Sequence, residues 1–186
     1  MKITKDVTKC ALAMAAVTGA AGTANADVAG SYAGLSIGTY KGALPFYDGD
    51  YSIGSDATFG AFAGYNMKLS DKLYSGIEVA VSNGAQTDLS GYTDDYGISL
   101  MVDVKARVGT MLSQNTFAYG FAGVSAGQMD ANAGGYGIFG TNIGVGAEVA
   151  VNDKFSVGAE YIQRNMTGND EWITNGTVAL RGVFKF

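Results

Sequence analysis

The sequence predicts an all-β fold, an eight-stranded antiparallel up-and-down barrel that crosses a membrane, preceded by a cleavable N-terminal segment. Three observations carry this expectation. The first 26 residues have the make-up of an export signal, the remainder alternates apolar and polar residues with a period of two, and the connections between segments alternate short and long.

Met1 to Lys9 carries Lys2, Lys5 and Lys9 against Asp6, an alanine-rich apolar run follows from Ala11 to about Ala21, and Ala24-Asn25-Ala26 precedes Asp27. A basic start, a short apolar stretch and a small-x-small site describe a secretory signal peptide too short to span a bilayer as a helix. The expected domains are therefore a signal peptide at 1–26 and a single barrel domain at 27–186. The one cysteine, Cys10, precedes the apolar run, so removal of the segment leaves no thiol for a disulfide, a lipid anchor, a metal or a nucleophile. Without residues 1–26, nine bases face sixteen acids, a formal charge of −7, which opposes a nucleic-acid partner. One proline and 28 glycines suit a strongly curved sheet.

The strands are expected in chain order as follows. The first runs from about Tyr32 to Tyr40 with Ala33, Leu35 and Ile37 on one row, and the second from Ala57 to Met67 with Phe59, Ala61, Ala63, Tyr65 and Met67. The third, Leu73 to Ser82, sets Ser75, Ile77, Val79 and Val81 against Tyr74, Gly76, Glu78 and Ala80. The fourth is the clearest: Ile98, Leu100, Val102, Val104, Ala106 and Val108 alternate with Ser99, Met101, Asp103, Lys105, Arg107 and Gly109. The fifth, about Phe117 to Gln128, has alanine, glycine and aromatics on both rows and shows the weakest pattern. The sixth opposes Phe139, Ile143, Val145, Ala147 and Val149 to Asn142, Gly144, Gly146 and Glu148. The seventh opposes Phe155, Val157, Ala159 and Tyr161 to Ser156, Gly158, Glu160 and Arg164, and the eighth opposes Val178, Leu180, Gly182, Phe184 and Phe186 to Ala179, Arg181, Val183 and Lys185. Short connections are expected near 68–72, 112–116 and 152–154, and long polar ones near 41–56, 83–96, 129–137 and 166–176. Ser70-Asp71-Lys72-Leu73 is echoed by Asn152-Asp153-Lys154-Phe155, each followed by a strand with Gly-x-Glu on its polar row.

Alternation alone fits a soluble barrel turned inside out. The membrane reading is favoured because the polar row mixes charges with glycines, as a narrow filled lumen requires. Aromatics also fall near strand ends (Tyr40, Tyr65, Phe117, Phe139, Phe155, Tyr161, Phe186), where interfacial girdles would lie. The ending Val178-Ala179-Leu180-Arg181-Gly182-Val183-Phe184-Lys185-Phe186 resembles the C-terminal recognition signal of outer-membrane barrels, with Val178, Leu180, Gly182, Phe184 and Phe186 as its apolar row. With that signal, residues 27–186 resemble the eight-stranded OmpA/OmpX-type outer-membrane barrels and porin-like surface antigens, with no peptidoglycan-binding domain in this sequence. The resemblance implies integral residence in the bacterial outer membrane, contact with its lipid and lipopolysaccharide, and delivery by the barrel assembly machinery.

Candidate functional residues fall in three groups. Glu78, Asp103, Lys105, Arg107, Glu148, Glu160, Arg164, Arg181 and Lys185 occupy polar rows, and their near-balance of sign predicts mutual pairing, either as a static plug or as a gated ion path. The expected long loops hold Asp48, Asp50, Asp56, Asp88, Asp94, Asp95, Asp130, Asp170 and Glu171 against Lys41 alone, yet Asp48-Gly49-Asp50 lacks the remaining ligands of a calcium loop. Phe46, Tyr47, Tyr51, Tyr92, Tyr96, Tyr136 and Trp172 are loop aromatics, an expected contact surface for an external adhesion partner. The chain contains no histidine, which removes His-based acid–base chemistry, Ser-His triads and His-ligated metals. The expectation is a non-enzymatic protein without metal or cofactor, with a structural, envelope-integrity or surface-contact role. The alternative is a small monomeric porin, for which the polar-row glycines Gly76, Gly140, Gly144, Gly146 and Gly158 would leave space.

Overall fold

The computed structural model describes residues 27–46, 49–84, 97–130, 135–168 and 171–186. Eight strands, β1 (Gly30–Phe46), β2 (Gly49–Lys68), β3 (Leu73–Asn83), β4 (Gly97–Met111), β5 (Thr116–Asp130), β6 (Tyr136–Ala150), β7 (Phe155–Gly168) and β8 (Glu171–Lys185), pair each with the next, and β8 returns to β1. Every pairing is antiparallel, and the closing ladder runs from Tyr32↔Lys185 to Ala43↔Thr174. Closure removes the sheet edges along the spanning portion, which a bilayer demands because hydrocarbon offers no partner to a free N–H or C=O.

Burial alternates with the pleat and shows which row faces where. On β4, Met101, Asp103, Lys105 and Arg107 are buried, while Leu100, Val104 and Val108 are exposed. Charges lie inside and aliphatic side chains outside, the reverse of a soluble barrel. Leu35, Phe59, Ile77, Ile143 and Leu180 continue the outer apolar belt around the other strands.

The three short connections share one construction, which explains the echo between residues 70–73 and 152–155. In the first, Leu69 N–H donates to the Leu73 carbonyl at 2.8 Å and Leu73 N–H donates to Ser70 Oγ at 3.3 Å. In the third, Val151 N–H donates to the Phe155 carbonyl at 2.9 Å and Phe155 N–H donates to Asn152 Oδ1 at 2.9 Å. Ser113 Oγ plays the same part between β4 and β5, accepting from Thr116 N–H at 3.1 Å. A short polar side chain three residues before the strand satisfies a backbone donor that the tight turn leaves free.

The opposite end departs from the sequence expectation. β1 and β2 stay paired through most of the stretch read as a long loop at 41–56, out to Phe46↔Gly49. Likewise β5 and β6 extend to Asp130 and Tyr136, and β7 and β8 to Gly168 and Glu171, so 129–137 begins and ends in strand and 166–176 is mostly strand. Along the extensions of β5, β7 and β8 the inward row carries Met129, Met166 and Ile173, apolar like the outer belt, so no charged row marks the strand although the hydrogen bonding continues. The 1–26 signal and the loop residues Tyr47, Asp48, Asp88, Tyr92, Asp94, Asp95, Tyr96 and Asp170 lie outside the described residues.

Two row assignments are corrected as well. Ile98, expected on the outer row of β4, is buried in the lumen, because the β4–β5 register shifts between Ile98 and Leu100 and turns the strand over. Tyr40 and Phe117, expected in the girdles, are each 2% exposed and face inward. Tyr65, Phe139, Phe155 and Phe186 do stand outside, joined by Trp172.

Candidate functional site

The lumen is where the sequence places its charges, and β4 supplies them at two-residue spacing. Asp103, Lys105 and Arg107 alternate inward, so the strand delivers one acid and two bases along the barrel axis. The neighbouring strand sets Glu78 directly across the ladder from Lys105. Glu148 and Glu160 enter from β6 and β7, and Arg181 from β8.

Glu78 is the hub. It is fully buried and accepts from Lys105 Nζ at 3.0 Å, Arg107 at 2.8 Å, both terminal nitrogens of Arg181 at 3.0 and 2.5 Å, and Tyr32 Oη at 3.0 Å. Glu160 joins the same set, receiving Lys105 at 2.6 Å, Arg181 at 2.6 Å and Tyr119 Oη at 3.0 Å. Glu148 accepts from Arg107 at 2.9 Å, and Arg107 also donates to the Tyr32 hydroxyl oxygen. Three carboxylates thus balance three cations inside a narrow barrel, and each charge that burial would penalise has opposite charge within hydrogen-bond reach.

Aromatic rings fill what the ion pairs leave open. The Arg181 guanidinium lies 3.7 Å from the centroid of Phe62, that of Arg107 3.8 Å from Tyr119, and Lys105 Nζ 4.8 Å from Phe121. Each ring rests where the opposing strand has no Cβ. A Cβ at Gly34 would collide with Phe62, at Gly64 with Tyr32, at Gly144 with Phe121 and at Gly146 with Tyr119. These glycines therefore create seats for side chains; Gly76 and Gly158 are occupied in the same way by Asn66 and Glu148, whereas Gly140 lies against the backbone of Asn165 and Met166.

Towards the far end from the short turns, Arg164 holds Asp103 with two hydrogen bonds of 2.8 and 2.6 Å. Ser125 Oγ donates to Asp103 at 2.6 Å, and Arg164 also donates to Thr177 Oγ1 at 2.9 Å. Beyond this pair, Tyr40, Ile98, Met101, Met129, Ile138, Met166 and Ile173 pack into a buried apolar cluster within the lumen. The charged interior is thus covered above by a buried, largely apolar layer.

Eight of the nine predicted lumen charges are brought together in these two groups. Lys185 stands apart at the short-turn end, where its Nζ lies 3.4 Å from the Asp27 carbonyl oxygen. Sequence reasoning passed over Tyr32 and Tyr119, whose hydroxyls complete the network, and over the apolar cap. Tyr119 was findable from its place two residues from Phe117 and Phe121 on one row; the cap was not, because Ile98 changes face at a bulge. Val178, Leu180, Gly182 and Phe184 lie along the outer row of β8, with Phe186 exposed beyond it. Among the described residues, no three of His, Cys, Asp or Glu gather as a metal-binding set. Asp130 and Trp172 are exposed at the strand ends, whereas Tyr136 packs against the apolar cap.

Comparison with known proteins agrees with this architecture. A family model described as "Outer membrane protein beta-barrel domain" matches residues 10–186. Neisserial surface protein A is similar in fold, with a TM-score of 0.61 at 12% identity over 84% of this chain and 99% of that one. The attachment invasion locus protein Ail of Yersinia pestis, solved in complex with the heparin analogue sucrose octasulfate, gives 0.57 at 17% identity over 84% and 99%. OprG from Pseudomonas aeruginosa gives 0.55 at 12% identity over 88% and 99%. At these identities the likeness is one of fold alone. No curated protein matches the sequence.

Proposed function

Starting from the premise that this chain belongs to the outer membrane protein β-barrel domain family and is an integral outer-membrane barrel, we propose that it is a non-conducting, non-enzymatic surface protein whose external strand ends and loops form a contact surface. The observation that carries this reading is the filling of the lumen. Glu78 is fully buried among four donor side chains, Arg164 is locked on Asp103, and an apolar layer of Met101, Met129, Met166 and their neighbours lies beyond them. An ion crossing that layer would shed its hydration against side chains that are apolar apart from the Tyr40 hydroxyl. The small-porin alternative drew on the glycines of the polar rows, and the large side chains seated against them argue against it.

Ail binds a polysulfated ligand in the structure described above, but that chemistry does not suit this chain. Residues 41–56, 83–96, 129–137 and 166–176 together hold nine acids and one base, Lys41. A rim of that sign repels sulfate and favours a cationic partner. The test is the conductance of the refolded barrel in planar bilayers, after a heat-dependent gel shift has established folding. A silent membrane is expected; stable unitary steps that change with Arg107→Ala would overturn the proposal.

A further inference from the structure

We infer that the barrel holds one phospholipid of the leaflet on the short-turn side. Its acyl chain lies in a groove on the outer face of β5, and its headgroup, a phosphate with a primary ammonium, lies between the first two short turns. The surface-contact reading concerns the opposite end of the barrel, so each stands without the other.

The groove follows from the order of residues on the outer row. Across β3, β4, β5 and β6 one set of ladder neighbours is Ile77, Ala106, Ala122 and Ile143, and the next towards the short turns is Ser75, Val108, Gly120 and Val145. Small side chains on β5 thus lie between larger ones on either hand. Ala118 and Gly120 form the floor, and Val108, Leu112 and Val145 the walls, of an open apolar cleft of about 650 Å³. The floor rises again where Val104 pairs with Val124. From Thr116 to Ala122 the strand advances about 20 Å, which at a tilt of about 40° is about 15 Å of depth. That is half of a hydrocarbon core of about 30 Å, so the groove is as deep as one leaflet and takes one chain lengthwise.

Gly120 gives an independent sign of close approach. A glycine inside a strand weakens it and persists where something must come near. Two other outward glycines are covered by rings of the barrel itself: a Cβ at Gly176 would lie 3.4 Å from the Tyr161 ring, and one at Gly182 would lie 3.6 Å from that of Phe155. At Gly120 a Cβ would meet only the Gly144 carbonyl oxygen, at 3.8 Å. No side chain of the barrel accounts for the one that Gly120 lacks.

Charge selects the headgroup. Leu112, at the short-turn end of the groove, also lines a second cavity of about 510 Å³. Met111 N–H donates to the Lys72 carbonyl at 3.0 Å and so holds the first two short turns side by side around that space. Its charged lining is Lys68, Lys72, Asp27 and Asp71, all exposed. Two cations and two carboxylates suit a headgroup that carries both signs, with its phosphate towards the lysines and its ammonium donating to the aspartates. A purely anionic headgroup would face the carboxylates without a charge to offer them, and a quaternary ammonium has no N–H to donate.

The test is native mass spectrometry of the folded barrel, residues 27–186. It is released from detergent micelles doped equally with phosphatidylethanolamine, phosphatidylcholine and phosphatidylglycerol of identical chains. One bound phosphatidylethanolamine is expected, favoured about tenfold or more over either competitor. Gly120→Leu fills the groove and is expected to lower the bound fraction about tenfold, whereas Ala63→Leu, on the outer row of β2, is expected to leave it unchanged. Lys68→Gln/Lys72→Gln is expected to abolish the preference among headgroups. Equal retention of the three lipids, or a Gly120→Leu barrel that retains as much as the native one, would overturn the inference. The heat-dependent gel shift reports whether each variant has folded, and the headgroup comparison is made on the native chain, so it decides even where a variant fails to close. A barrel that retains no lipid yet remains silent in planar bilayers would lose this inference and keep the surface-protein reading.

Discussion

Glu78→Gln removes one negative charge from the centre of the lumen while keeping the side chain's shape and an acceptor oxygen. In the native barrel Glu78 and Glu160 share Lys105 and Arg181, and Glu78 and Glu148 share Arg107. After the substitution three cations remain with two carboxylates, so one positive charge is left uncompensated in a site that water does not reach. Breaking a buried ion pair from one side costs about 3–5 kcal/mol. With an unfolding slope of about 2 kcal/mol per molar urea, a loss of about 4 kcal/mol lowers the midpoint by about 2 M. The assay is urea unfolding of the refolded barrel in lipid vesicles, followed by tryptophan fluorescence of Trp172 and by gel mobility. Adding Lys105→Met restores the balance of sign and is expected to recover much of the loss, since the partners then match again. A Glu78→Gln barrel as stable as the native one would show that the lumen is wet and its ion pairs replaceable by water, which would remove the physical basis of the plug.

Gly146→Val drives a side chain into the space held by the Tyr119 ring and should destabilise the barrel by about 1–3 kcal/mol or prevent closure, read as a lower urea midpoint or loss of the heat-dependent gel shift. Val104→Arg, on the outer row of β4 midway between Leu100 and Val108, should cost about 2–4 kcal/mol in a bilayer. The matching Val151→Arg, in the short turn between β6 and β7, should change stability by about 0.5 kcal/mol or less, and equal effects at the two positions would contradict the placement of the apolar belt. Intact-mass analysis of exported protein should give an N-terminus at Asp27; a mass that retains residues 1–26 would refute the signal reading.

The strand count, the antiparallel order, the short turns and the identity of the charged row were legible in the sequence, because each follows from a local rule. Period-two alternation is imposed residue by residue wherever lipid lies on one side and a packed lumen on the other, and on β4 it separates Val104 from Lys105 without reference to any other strand. The lumen charges could be listed from alternation but not matched, since Glu78 meets Arg181 across the barrel from 103 positions away. Tertiary closure decided three things the sequence left open. It set the barrel register, which put Gly144 and Gly146 opposite Phe121 and Tyr119 and so turned apparent space into seats for rings. It turned Ile98 inward at a register shift, adding to the apolar cap a residue whose own pattern pointed the other way. It also carried strands past the expected loop bounds, where Met129, Met166 and Ile173 face inward in place of charges while the backbone still pairs, so the full strand length was invisible in the residue pattern. What one face of one strand needs is written locally; which side chains meet across a closed lumen is settled only when all eight strands share one register.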